Sequence, residues 1–374
     1  MESGEPQVVS GSIVAYRLFD IAYAIDLPAA EALWTERSCA SSLRARLTTA
    51  PAKALAFGVA PVEIALAPVT LSLGAGTVTA AVTARLYDFG VVTFAVRLPA
   101  GRRAWSAYGG LMNQADRALR AEEGASGLWA RLLNEIRTTF ATALIRPVTS
   151  AIEEDYLIGV VHAFDEPLAA EALQARLDLV PLLSGETRPL AEAARGDLLR
   201  QSFSYYTDDL VVLTWDRAFI YEPRQDSDVA DVLEVANAQL LEMRYYDELL
   251  DAELPRMYDL IERAQRATPL LASRRFANLA RRLSTLVAEV TELTERVDNA
   301  LQVTEDVYLA RVYAAALELF RVPAVGAAVD RKLAIIRDTY AALYQESSAA
   351  RGALIEAIIV ALIAIEIIIA LTRH

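Results

Sequence analysis

"GTVTAAVTARLYDFGVVTFAVRLP", residues Gly76–Pro99, decides how the first half of the chain is read. It is rich in β-branched residues and carries turn-forming residues at its ends and centre, the composition of a β-hairpin. "VEIALAPVTLSL" (Val62–Leu73) precedes it, with Gly74 and Gly76 flanking a second turn, and "SIVAYRLFDIAYAIDL" (Ser12–Leu27) has the same character. A short helix is expected around "LPAAEALWTER" (Leu27–Arg37), so residues 12–100 are strand-rich. Residues 104–145 read as helix, broken near Gly124–Gly127. "EEDYLIGVVHAFD" (Glu153–Asp165) is a further strand, followed by an alanine-rich helical stretch to about Ser202. "DDLVVLTWDRAFIYEP" (Asp208–Pro223) gives two strands around a turn at Trp215-Asp216.

From Asp226 the apolar period changes from two to about three and a half. Val229, Leu233, Ala236, Leu240 and Met243 alternate spacings of four and three, and Pro255 is expected to interrupt the helix. Phe276, Leu279, Leu283, Leu286, Val290, Leu293 and Val297 repeat the seam, the signature of a coiled coil or helix hairpin. A second interruption is expected near Pro323–Gly326. The expectation is an α+β chain: a strand-rich α/β body over 1–225, a long helical, coiled-coil-like region over 226–350, and one C-terminal transmembrane helix within 351–374.

That last segment, "ALIEAIIVALIAIEIIIAL" (Ala353–Leu371), holds eight Ile, three Leu and one Val. As a helix it would span roughly 28 Å, the thickness of a hydrocarbon core. At about −0.5 kcal/mol each, the large aliphatic residues outweigh the cost of about 3 kcal/mol for an acid near mid-membrane. Two acids stand in it: Glu356, one turn inside the start, and Glu366, past the midpoint. Ala353, Ala357, Ala361 and Ala364 fall on one stripe that permits close helix packing, with Glu366 nearly opposite. Self-association, or docking on a partner helix, is the reading. Arg331, Lys332, Arg337 and Arg351 upstream agree with a body on the cytoplasmic side.

The net charge of −13 disfavours nucleic acid as a general partner, and specific DNA binding is not expected. Hydrophobic residues make up 54% of the chain, above the soluble norm, which fits a segment that leaves water. Cys39 is the lone cysteine, and His162 and His374 are the two histidines, so an intrachain disulfide, a histidine zinc site and a Ser-His-Asp triad are all disfavoured. "MESGEPQVVSGSIVAY" lacks the basic and apolar regions of a signal peptide. No phosphate-binding glycine loop is found, no cofactor is expected, and His162 reads as a hydrogen-bonded core histidine. Glu153-Glu154-Asp155 and Asp208-Asp209 read as solvated turn carboxylates. Arg263, Arg266, Arg274, Arg275, Arg281 and Arg282 form a basic stretch that either pairs with the acids of Asp226–Glu253 on a neighbouring helix or meets RNA, ribosome or anionic headgroups.

Five stretches carry a resemblance: "DDLVVLTWDRAFIYEP" from Asp208, "LEVANAQLLEMRYYDELLDAEL" from Leu233, "DVYLARVYAAALELF" from Asp306, "VDRKLAIIRDTYAALY" from Val329 and "LIEAIIVALIAIEI" from Leu354. In this order they resemble the "required for meiotic nuclear division"/YagE family of DUF155-type membrane-tethered proteins. The tail departs from the family pattern at Ala357, where a tryptophan is usual. The resemblance implies a membrane protein, with ribosomes or membrane proteins as partner classes, and places a member without a presequence in a bacterial-type inner membrane, single-pass. It implies no catalytic residues.

The function expected is therefore non-enzymatic: a membrane-anchored scaffold or tether contacting lipid, oligomeric through its long helices. The alternative is a subunit of an oligomeric channel or transporter with Glu366 in the membrane helix.

Overall fold

In the computed structural model, β1 (Gln7–Asp20) is buried without a break from Ser12 to Asp20. A strand buried on both faces needs a layer on each side, and this chain supplies both. The structure describes residues 5–38, 55–56, 59–74, 76–149, 152–186, 188–224, 228–265, 277–288, 290–292, 302–303 and 307–372.

After β1 come β2 (Ala22–Ile25), α1 (Leu27–Ser38), β3 (Leu55–Ala56), β4 (Val62–Leu73), β5 (Gly76–Leu86), β6 (Val91–Pro99) and β7 (Arg103–Ala104). Then follow α2 (Trp105–Ala121), α3 (Leu128–Thr139), β8 (Leu144–Pro147) and β9 (Glu153–Phe164). Three short helices, α4 (Ala170–Arg176), α5 (Val180–Ser184) and α6 (Glu192–Leu198), lead to β10 (Gln201–Phe203), β11 (Leu210–Leu213) and β12 (Arg217–Tyr221). The helical part is α7 (Val229–Gln265), α8 (277–288), β13 (Gln302–Val303), α9 (Val307–Leu319) and α10 (Val322–Thr372).

The main sheet runs β10-β11-β12-β9-β1-β6-β5-β4, with β7 also on β1. Its pairs are antiparallel except β9 with β12. One face is covered by α2 and α3. Trp105, Tyr108, Met112, Ala115 and Leu119 recur at helical spacing and are buried, as are Trp129, Leu132 and Ile136. Gly159 permits the close approach of α2, since a Cβ there would meet the Tyr108 hydroxyl at 3.0 Å and Met112 Sδ at 3.1 Å. The opposite face carries the first part of α7, together with Phe320 after α9, which meets Tyr156 edge-on at 5.2 Å.

The chain forms two compact units, residues 1–245 with 296–323, and 246–295 with 324–374. The expected boundary at 225 precedes α7, whose start belongs to the first unit. There the expected seam is corrected: Leu241 is wholly buried and Leu240 only partly, and Val232, Val235 and Ala238 are buried alongside Leu233 and Ala236. This part of α7 is a core helix buried nearly all round.

In the second unit the heptad rhythm does hold. Of the expected seam, Leu279, Leu283 and Val290 are buried and Leu286 is half-buried; Tyr246, Leu250 and Met257 of α7 and Val329, Leu333, Ile336 and Leu343 of α10 are buried at similar spacing. Phe276, Leu293 and Val297 lie outside the described residues. Pro255 does not interrupt α7, which runs through it, and Pro323 starts α10 rather than ending a helix. Proline is tolerated in a first turn because that N–H has no helical partner. The break falls one step earlier, at Arg321 with φ 59°.

Candidate functional site

On the α7 face, ladder partners form one row across five strands: Glu63, Arg85, Thr93, Leu18 and Glu154. Arg85 stands at a four-way junction. Its guanidinium donates to Glu63 at 2.7 Å, to Asp231 at 2.8 Å and to Glu234 at 2.6 Å, and the Tyr87 hydroxyl donates to Glu234 at 2.8 Å. Glu234 is 2% exposed. Burial pushes its carboxyl up to about 7; the Arg85 charge opposes that and the Asp231 charge adds to it. At the other end of the row Arg244 pairs with Glu154. Burial raises the Glu154 carboxyl too, with Arg244 opposing.

The spacing fits the job. Glu234 and Arg244 are ten positions apart, about 15 Å along a helix at about 1.5 Å per residue. β5 and β9 are three strand spacings apart, about 14 Å at about 4.8 Å each. The helix thus crosses the strands and is pinned at both ends by charges of opposite sense.

On the other face an open cleft of about 310 Å³, counting the solvent at its mouth, is lined by Ala15, Arg17, Leu119, Trp129, Asp155 and Leu157, among others. Arg17 comes from the middle of β1 and is 6% exposed. It pairs with Glu153, with Glu123 at 3.2 Å and with Asp155 at 3.9 Å. Arg120 meets Asp116 at 2.8 Å and Asp155 at 3.7 Å, and Arg217 meets Asp116 at 2.7 Å. Each of these carboxylates faces a guanidinium, an arrangement that clamps helices to strands rather than one that leaves a base free. Among the described residues no group of three or more His, Cys, Asp and Glu is placed to hold a metal ion.

Glu153, Glu154 and Asp155, read from sequence as solvated turn carboxylates, lie in β9 rather than in a turn; Glu153 and Asp155 are exposed, Glu154 is buried, and all three are acids of these two clusters. His162 is part-buried and its Nδ1 lies 3.1 Å from the Glu222 carbonyl. The basic stretch is divided: Arg282 pairs with Glu253 of α7 at 3.1 Å, and Arg281 donates to Asn278 at 2.6 Å. Arg266, Arg274 and Arg275, and the side chain of Arg263, lie outside the described residues. In the same unit Lys332 of α10 bridges Asp247 at 2.6 Å and Asp251 at 2.7 Å.

The tail residues all belong to α10. Glu356 is exposed, while the side chains of Glu366, Ala353, Ala357, Ala361 and Ala364 lie outside the described residues. Ile359, Val360, Leu362, Ile363 and Ile365 are 50–65% exposed. At about 100° per residue they spread around most of the helix. Among the described residues no single helix is long and apolar enough to cross a membrane; Val307–Leu319 and Val322–Gln345 reach that measure only as a broken pair.

Sequence reasoning missed Arg17, Arg85 and Glu234. The available signal was a charged residue flanked by apolar ones inside a strand ("AYRLF", "TARLY") and an acid inside the apolar run "VLEVA".

A curated relative, Uncharacterized protein MJ0711 of Methanocaldococcus jannaschii, is 27% identical over 196 residues, which is 52% of this chain. The match spans 59% of the relative's own length. No solved structure matches. The family model described as "Uncharacterized protein MJ0711, N-terminal domain" matches residues 10–228, which is the sheet with its first helical layer up to the start of α7, and the chain belongs to that family.

Proposed function

We propose that the chain is a non-enzymatic, membrane-anchored scaffold: residues 353–371 of α10 cross a bilayer and hold the α+β body at its cytoplasmic surface. The observation that carries this reading is the exposed apolar belt from Ile359 to Ile365. A helix that is apolar on all sides needs either a protein core around it or lipid. The heptad rhythm that buries one stripe of α10 runs as far as Leu343, and the belt begins beyond it. Glu356 is exposed at the end nearer the body, where an acid reaches headgroups at small cost. The resemblance to the YagE-type family supports the same reading and adds ribosomes or membrane proteins as partners.

The test compares the full chain with one ending at Gln345, by alkaline extraction of membranes and flotation on vesicles. The full chain should stay with lipid and the shortened chain should not. Full-length protein that is folded and lipid-free in the aqueous fraction overturns the proposal. A detergent-corrected mass of a monomer or dimer excludes the channel alternative, which needs a ring.

A further inference from the structure

We propose that the junction of Arg85 with Glu63, Asp231 and Glu234 is a proton-operated clasp: one proton on Glu234 keeps the start of α7 seated on the sheet, and its loss loosens the helix. There the guanidinium of Arg85, on β5, faces three carboxylates, one on β4 and two on α7. With all three ionised the junction carries a net charge of −2, with its centre buried and its rim open: Arg85's side chain is 12% exposed and Glu234's 2%, against 21% for Asp231 and 32% for Glu63. The remaining groups facing it do not cancel that excess. Tyr87 and Tyr16 are phenols that burial keeps neutral. Arg97 of β6 is exposed and donates to Ser12 at 3.2 Å. Binding one proton is the least costly way to relieve the excess, because an unbalanced buried charge neutralises rather than remaining ionised. Glu234 is the acid to take it, as the most deeply buried of the three.

A neutral Glu234 carboxyl still keeps hydrogen-bond partners in Arg85 and Tyr87. The ionised one meets the charge of Asp231 three residues away on the same helix turn. The folded state therefore holds a proton that the unfolded chain has released at the same pH, so rising pH favours opening of this helix.

Hydrogen exchange of the full chain in detergent, read over residues 229–245 and divided by the intrinsic rate at each pH, measures that opening. The opening constant should rise by up to about tenfold per pH unit between about 4.5 and 7. Glu234→Gln, neutral at every pH, should flatten the profile. Difference infrared spectra at pH 6 should show one protonated carboxyl in the wild type that E234Q lacks. Equal profiles and equal carboxyl signals in the two proteins overturn the clasp. If E234Q does not fold, Tyr87→Phe decides. It removes a hydroxyl donated to the carboxylate and should move the wild-type midpoint to higher pH, and an unmoved midpoint is equally fatal.

Discussion

Arg244 of α7 closes on Glu154 of β9, the strand residue that shares a cross-strand row with Arg85. The two arginines differ in depth. Arg85's side chain is 12% exposed, whereas Arg244's is 49% exposed. Removing one partner from a buried charge group leaves the others uncompensated. Arg85→Met should therefore cost about 3 kcal/mol or more, and Arg244→Met about 1 kcal/mol, in chemical denaturation of the body. Equal losses at the two sites would contradict the difference in depth.

Acid pH should stabilise this protein rather than weaken it. Burial holds Asp20, as well as Glu234, near 7, with the Ala22 backbone amide and the Arg137 charge opposing at Asp20. Both groups are raised, so their contribution is full below the unfolded values near 4 and is lost as pH climbs to about 7. Tm should fall between pH 5 and 7.5, and Asp20→Asn should remove part of that slope. Calorimetry across the range checks it.

At Gly159 α2 comes close to the sheet. Gly159→Ala places a methyl group against the Tyr108 hydroxyl and Met112 Sδ, at an expected loss of about 1–3 kcal/mol. The Tyr108 hydroxyl donates to the Ser12 and Val160 carbonyls at 3.0 and 3.1 Å, so the same change should speed exchange of nearby β1 and β9 amides.

Ile336 of α10 is fully buried in the second unit. Ile336→Ala should cost that unit about 2–5 kcal/mol. Limited proteolysis should then cut α8 or α10 first and spare the sheet.

If the belt on α10 meets lipid, charges should undo it. Leu362→Lys with Ile363→Lys adds about 6 kcal/mol to insertion, comparable to the whole favourable term from the aliphatic residues. The doubly substituted chain should leave the vesicle fraction without losing its fold by circular dichroism.

Much of the sheet was legible because its strands carry local marks. The Gly74–Gly76 turn, the Trp215-Asp216 turn and the gap between α2 and α3 all stand where composition puts them. What stayed hidden depends on pairing at a distance. The start of α7 has heptad-like spacing, yet it is buried on nearly every side because sheet and helical layer enclose it, and no local pattern tells an enclosed helix from a seam. Arg85 and Glu234 lie 149 residues apart in sequence. Each alone looks like a charge out of place, and only the fold shows that they answer one another. The α10 stripe from Val329 to Leu343 leads on toward the apolar tail, and composition alone does not mark where the packed stripe ends.

β1 lies in mid-sheet, flanked by β6 and β9. Ile13 pairs with Leu98 on one side and Gly159 on the other. A ribosome therefore delivers the central strand first and its second neighbour some 140 residues later. At about 5–20 residues per second, β1 waits on the order of ten seconds before both of its hydrogen-bonding edges can be filled. A strand of that character is a site for mispairing between nascent chains. Yield in a cell should accordingly depend on chaperones that shelter early strands, and slower translation before residue 164 should lower it.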